Sequence, residues 1–235
     1  QAVHTLTMPA KDVGLPHGFM YLRLQDLRGF EELMIDFAEE PPELQRLIDI
    51  VLEYNLRQTR LRIDKLRADG AEPGRIVYFG DDLGTQKALP ISPASWRKYL
   101  KPCYRAIYDL VREAGFSVYM HSDGQIYPII ADLIECGVEV INPQIRANGL
   151  ANLVATCKGK VCVDLDLDRQ LFPFATPAEI DAHVRQAVEA LGSPEGGLWL
   201  KGEIDDGVPL ENVEAICRAL DKYRSFFRSD GEGRP

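Results

Sequence analysis

Short apolar or β-branched runs alternate along this chain with longer stretches whose apolar residues recur at helical spacing. That alternation predicts repeated βα units around a parallel sheet. Six runs read as strands, at residues 19–24, 75–79, 117–121, 138–142, 160–165 and 197–200, each bounded by Gly, Pro, Asp or Asn. The gaps leave room for a helix after each. Ser92 ahead of Pro93 can accept hydrogen bonds from the first free helical amides, while proline in the first position forfeits none, so one long helix is expected from there through Val111. Thr176-Pro177-Ala178-Glu179 repeats the device, with Glu179 able to complete a capping box, and Ile180, Val184, Val188 and Leu191 then share one helical face. His183 in that helix reads as a surface residue without chemistry. An earlier helix is expected over 42–66, with Leu44, Leu47, Ile48, Val51, Leu56 and Leu61 as its apolar stripe and Arg57, Arg60, Arg62 and Lys65 on its solvated face. Gly115 and Gly137 fall between a helix and the next strand, where a left-handed residue commonly ends a helix.

Composition narrows the class. The 235 residues are 46% hydrophobic and 27% charged, an ordinary balance for one globular α/β domain. A net charge of -9 argues against a nucleic-acid reader, which needs clustered Lys and Arg to displace counterions from phosphates. No apolar run nears the roughly 20 residues that cross a bilayer, and no basic stretch followed by an apolar one opens the chain, so a cytoplasmic protein is expected. Cys103, Cys136, Cys157, Cys162 and Cys217 form no CxxC pair and are odd in number, which suits reduced thiols used for packing or left at the surface. Residues 1–17 read as an N-terminal loop, 18–227 as the domain, and 228–235, which lack apolar content, as a mobile tail.

In parallel α/β folds ligands bind at the carboxyl ends of the strands, so the polar residues just after each apolar run are the candidates. They are Asp81 and Asp82, His121 and Asp123, Asn142 and Gln144, Asp164 and Asp166, and Lys201, Glu203, Asp205 and Asp206. Taken singly, an aspartate such as Asp82, Asp166, Asp205 or Asp206 is equally the ordinary residue of a turn or helix cap. His121 stands out because Asp123 follows two residues later, and on an extended segment the two point to the same side. With Glu203 from the last strand end they make a candidate divalent-metal set such as a zinc site, which needs nitrogen or oxygen donors from separate segments. His121 as a general acid or base oriented by a carboxylate, with Asp123 and Asp82 beside it, or as a hydrogen-bonded structural histidine, are the other readings of the same residues.

At these residues the sequence resembles the uroporphyrinogen decarboxylase superfamily. The runs Tyr78-Phe-Gly-Asp-Asp-Leu-Gly-Thr-Gln86, Ile91-Ser-Pro93, Leu100-Lys-Pro102, His121-Ser-Asp-Gly-Gln-Ile126, Leu133-Ile-Glu-Cys-Gly137 and Asn142-Pro-Gln144 carry the resemblance, joined by Thr176-Pro177 and Pro209-Leu-Glu-Asn-Val213. It extends over residues 18–223 in preserved order and implies a (β/α)8 TIM-type barrel. Because the chain opens at Gln1 without a Met, N-terminal βα elements are expected to be lacking. The superfamily includes the haem-pathway decarboxylase and cobalamin-linked methyltransferases. In the methyltransferase branch a His-x-Cys-Gly strand end and a later Cys hold a zinc ion that activates an acceptor thiol. His121 matches that His, Asp123 stands for the first Cys, and Lys201-Gly202-Glu203 stands where the second would fall. The decarboxylase branch is marked by an Arg-Gln-Ala-Gly-Arg-like run, which this chain does not contain.

The resemblance therefore implies a methyltransferase-like enzyme working on a small methylated compound or a methyl group borne by a corrinoid on a partner protein. Asp81 and Asp82 would shape the mouth, and Asn142 and Gln144 would supply hydrogen bonds. A decarboxylase of an acidic tetrapyrrole is the alternative, with Arg23, Arg146 and Lys201 as its carboxylate-binding cations. A barrel that has lost its sulfur ligands and its activity is a third. A homodimer is the association common in the superfamily.

Overall fold

The computed structural model describes residues 14–227; the expected tail at 228–235 and most of the expected N-terminal loop lie outside the described residues. Five strands are present among them: β1 (Ile76–Gly80), β2 (Ser117–Ser122), β3 (Val140–Pro143), β4 (Cys162–Asp166) and β5 (Leu198–Lys201). All pair in parallel, in the order β1-β2-β3-β4-β5. A doubly wound sheet would reverse its order partway. Sequential order with helices between the strands is instead the winding of a (β/α)8 barrel, of which these five strands form part.

The helices are α1 (Tyr21–Arg28), α2 (Phe30–Glu39), α3 (Pro42–Ala68), α4 (Pro93–Ser95), α5 (Lys101–Glu113), α6 (Tyr127–Glu135), α7 (Ile145–Asn148), α8 (Leu150–Cys157), α9 (Pro177–Leu191) and α10 (Leu210–Tyr223). The α9 capping box forms as the sequence predicts, with Thr176 accepting from the Glu179 amide and Glu179 accepting from the Thr176 amide at 2.7 Å. No helix among the described residues is long and apolar enough to cross a membrane.

Two expectations are corrected. Residues 19–24 are not a strand: the run enters α1, and Phe19, Met20 and Leu24 are buried in the main core. A short apolar run has no period of its own to separate strand from helix, and the partner that decides, Asp81, is 60 residues away in the chain from Tyr21. The long helix expected from Ser92 is also broken. Ser92 caps α4 through the Ser95 amide at 3.0 Å, but a π-helical turn, Trp96–Leu100, precedes α5. Pro102, in the first turn of α5, has no N–H for the carbonyl four residues back, and its ring would crowd that carbonyl; a wider turn relieves both.

Strand alternation sorts side chains onto two faces. Val77, Phe79, Val118, Met120, Ile141, Val163 and Leu165 join the core under the helices. On the other face Ile76, Tyr78, Tyr119, Val140, Cys162 and Trp199 form a separate inner cluster, with the Tyr78 and Tyr119 rings stacked 5.1 Å apart. Above that layer the ladder sets Gly80 beside His121, His121 beside Asn142, and Asp166 beside Lys201. The cysteines behave as expected: Cys103, Cys136 and Cys157 are buried, Cys162 is intermediate and Cys217 exposed, all as free thiols.

Candidate functional site

Asp81 and Asp82 leave the tip of β1 in opposite directions. Asp81 is fully buried and accepts four hydrogen bonds, from the amides of Met20, Tyr21 and Leu22 at 2.6–3.1 Å and from the Tyr104 hydroxyl at 2.5 Å. It thus neutralises the free amides that begin α1, where a carboxylate also meets the positive end of the helix dipole. Burial pushes its carboxyl above the usual range, and these donors act in the other direction. The expected role of Asp81 in shaping a substrate mouth is corrected: its side chain is spent inside the fold. Asp82 remains at the mouth, partly exposed, with Oδ1 accepting the Asp123 amide at 3.2 Å.

The loops after β1 and β2 are stitched together. The Leu83 amide donates to Ser122 Oγ at 2.9 Å, and the Gln125 amide to the Thr85 carbonyl at 2.7 Å. Gly124 has φ +78°, and a Cβ there would fall 2.2 Å from the Gly84 carbonyl oxygen, so the contact requires glycine. This approach holds Asp82 next to Asp123. Ser122 faces away from them, as the alternation predicts.

His121 is the next-to-last residue of β2, with its side chain mostly buried. Its Nδ1 lies 2.6 Å from Asn142 Oδ1, while Asn142 Nδ2 donates to the Asp164 carbonyl at 2.6 Å. Because the Asn142 amide is oriented by that second bond, its oxygen faces the imidazole and the proton belongs on Nδ1. The lone pair is left on Nε2, which lies 3.6 Å from Asp123 Oδ1. Burial lowers the His121 pKa, favouring this neutral form. Gln144 Nε2 donates to Asp123 Oδ1 at 2.7 Å and its Oε1 accepts the Gly124 amide at 2.9 Å.

One ligand atom from each of Asp82, His121 and Asp123 comes within 4.8 Å of the others. An imidazole with a committed Nδ1–H and a free Nε2, flanked by two carboxylates that accept further hydrogen bonds, fits a divalent ion with nitrogen and oxygen donors. Glu203, expected in this set, does not join the three residues whose ligand atoms lie within 4.8 Å of one another. It lies 3.1 Å from Arg169 Nη1 and 3.3 Å from Lys201 Nζ. Both cations contact its Oε2, and Asp82, which the sequence placed beside His121, takes the third corner of the group. Of the expected cationic contacts, Arg23 lies on α1 rather than at a strand end, paired with Asp26 at 3.2 Å. Arg146 at the mouth is held by Asp168 at 2.8 Å. Lys201 does stand on the inner face, beside Asp166. Asp205 and Asp206 are exposed loop residues.

Asp164 and Asp166 were legible as strand-end candidates, but their surroundings were not, and His17 was not legible at all. Tyr119 donates to Asp164 at 2.7 Å on the inner face, a contact that the two-residue alternation of β2 and β4 could have suggested. Asp166 is buried with Oδ1 unpartnered, and burial pushes its carboxyl up to about 6. His17 lies ahead of every regular element, and its Nε2 reaches within 3.3 Å of Asp82 Oδ1; no periodicity signals it. His183, expected as a surface residue, is instead partly buried and accepts the Asp168 amide at 3.2 Å.

Together these features define a parallel (β/α) barrel protein whose polar residues gather at the C-terminal ends of its strands. A family model for uroporphyrinogen decarboxylase (URO-D) matches residues 20–223, and the chain belongs to that family. Among solved structures it resembles a methyltransferase from Methanosarcina mazei, at 20% identity and a TM-score of 0.64, over 88% of this chain and 57% of that one. This supports the fold, and the chain spans little more than half the length of that structure. A DHPS from Yersinia pestis is similar at 17% identity and a TM-score of 0.46, covering 74% of this chain and 64% of that one, a likeness too slight to carry weight. Comparison with curated proteins gives no match.

Proposed function

We propose that this chain provides the working site of a methyltransferase-like enzyme that takes a methyl group from a small methylated compound or from a corrinoid carried by a partner protein. Asp82, His121 and Asp123 are the residues that would hold a divalent cation. The observation that carries the reading is the orientation of His121: with Nδ1 against Asn142 Oδ1, Nε2 presents its lone pair beside the carboxylates, where an ion can take it. Membership of an enzyme family and the methyltransferase fold of the structural neighbour agree with it.

A bound divalent cation supplies Lewis-acid activation of a nucleophile or leaving group. The protein's own contribution is positional. Asn142 and Gln144 fix His121 and Asp123, the stitched loops bring Asp82 to them, and Tyr78 and Tyr119 stack on the same inner face of the sheet. In the transfer, the bond from carbon to the donor atom breaks with its electron pair left on the donor. The acceptor's lone pair forms the new bond, and its proton leaves to solvent past the partly exposed Asp82 and Asp123. No thiolate enters the ligand set, so the ion would keep more positive charge than a sulfur-ligated one and favour harder oxygen or nitrogen groups.

The test is metal analysis of protein purified without chelator, followed by methylcobalamin and small methylated compounds as donors. Close to one equivalent of ion, with stability lost on chelation, is expected. Less than roughly a tenth of an equivalent with unchanged stability on chelation would sink the cation reading.

A further inference from the structure

The segment carrying His17 is pinned on both sides. The Gly18 amide donates to the Gly80 carbonyl at 2.8 Å, and Asp81 grips the amides of Met20, Tyr21 and Leu22 immediately beyond. Gly80 has no side chain where the His17 ring lies: a Cβ there would come within 2.5 Å of His17 Nδ1. The imidazole is thereby laid across the tip of β1, with its ring centre 5.8 Å from that of His121. It enters the mouth from a segment outside all five strands.

Its contact is selective. Asp82 Oδ1 receives the Asp123 amide at 3.2 Å and lies 3.3 Å from His17 Nε2, while no hydrogen bond between described residues falls on Oδ2. One hydrogen bond and a nearby imidazole nitrogen thus gather on the same oxygen, and the other oxygen is open. Carboxylates that bind metals are commonly oriented in this way by a neighbouring donor.

We propose that His17 is a positioning residue of the cation site, acting through Asp82 by donating Nε2–H to Oδ1 and leaving Oδ2 to the ion. This rests on the cation reading above. It adds a residue to the site and makes the segment before α1 part of the binding apparatus. His17 does not touch the reacting atoms in this role. Its side chain is nearly half exposed, so replacing it leaves the core intact.

The test uses the full chain with His17→Ala and His17→Gln, titrated with Mn2+ and with Co2+, the latter followed by its visible absorption. His17→Ala is expected to bind one ion about 10- to 100-fold more weakly. Its thermal midpoint should stay within about 2 °C of the parent, as for an exposed substitution away from the core. His17→Gln, which keeps an N–H donor, should recover most of the affinity with a Co2+ spectrum like the parent's. Unchanged affinity in His17→Ala, while the parent binds its ion, overturns the role of His17 alone. A spectrum altered in both variants with no rescue by Gln also overturns it, because His17 would then be a direct ligand. A parent that binds neither ion removes the cation reading and this inference together.

Discussion

The imidazole of His121 and the carboxamide of Asn142 face each other across the β2–β3 ladder, Nδ1 to Oδ1 at 2.6 Å, and the amide is itself oriented by the Asp164 carbonyl. A chain of two hydrogen bonds through adjacent strands therefore decides which nitrogen of His121 meets the carboxylates.

Replacing Asn142 with Ala should weaken cation binding about 10- to 100-fold, since the ring loses its tautomer and its angle. Leaving the Asp164 carbonyl without its donor should cost roughly 1–3 kcal/mol of folding stability. Equilibrium dialysis against Mn2+ beside a urea unfolding curve separates the two effects. Unchanged affinity at reduced stability would assign Asn142 to the fold alone.

Adjacent aspartates should behave oppositely. Asp81→Ala strips four donors of their acceptor and should cost about 3 kcal/mol or more. Asp82→Ala should change stability by less than about 1 kcal/mol while abolishing stoichiometric cation binding. Denaturant midpoints of the two variants would refute this assignment if they coincided.

Gly124→Ala should lose at least about 2 kcal/mol, because a left-handed backbone angle and an overlap with the Gly84 carbonyl must both be relieved. The same displacement should weaken ion binding by drawing Asp123 from Asp82. A variant as stable as the parent would show that the two loops are not stitched as described.

Asp166 predicts a pH effect with a definite sign. Burial raises its carboxyl to about 6, above the roughly 3.9 of an unfolded chain. Between those values the folded protein holds a proton that the unfolded chain has released, so the group's contribution is complete below about pH 4 and disappears as pH rises through 6. The loss approaches a ceiling of about 3 kcal/mol. Asp166→Asn carries no such proton, so its stability relative to the parent should climb between pH 4 and pH 7. Chemical denaturation at both ends checks this, and a difference independent of pH would refute it.

Much of the architecture was readable because strand, helix and cap signals are local. The five strands fall within a few residues of the expected runs, and Thr176 and Glu179 form the cap their spacing predicts. The failures are non-local. Residues 21–24 open α1 because Asp81, distant in sequence, satisfies its first amides, and Pro102 exerts its effect on the turn behind it. At the site, the two-residue spacing of His121 and Asp123 was enough to pair them. Glu203 was legible as a strand-end carboxylate, but its pairing with Arg169, from a different loop, was not. His17 was invisible because nothing in its own neighbourhood marks it as a neighbour of Asp82.

Opposite orientation of two successive aspartates gives this architecture separable inheritances. The residue at 81 is tied to a helix start and a tyrosine, whereas those at 82, 121 and 123 are tied to one another and to polar residues at the strand tips. An exchange of donor atoms at 82 or 123 would leave the start of α1 untouched, whereas it would reach Gln144 and the loop that follows β2.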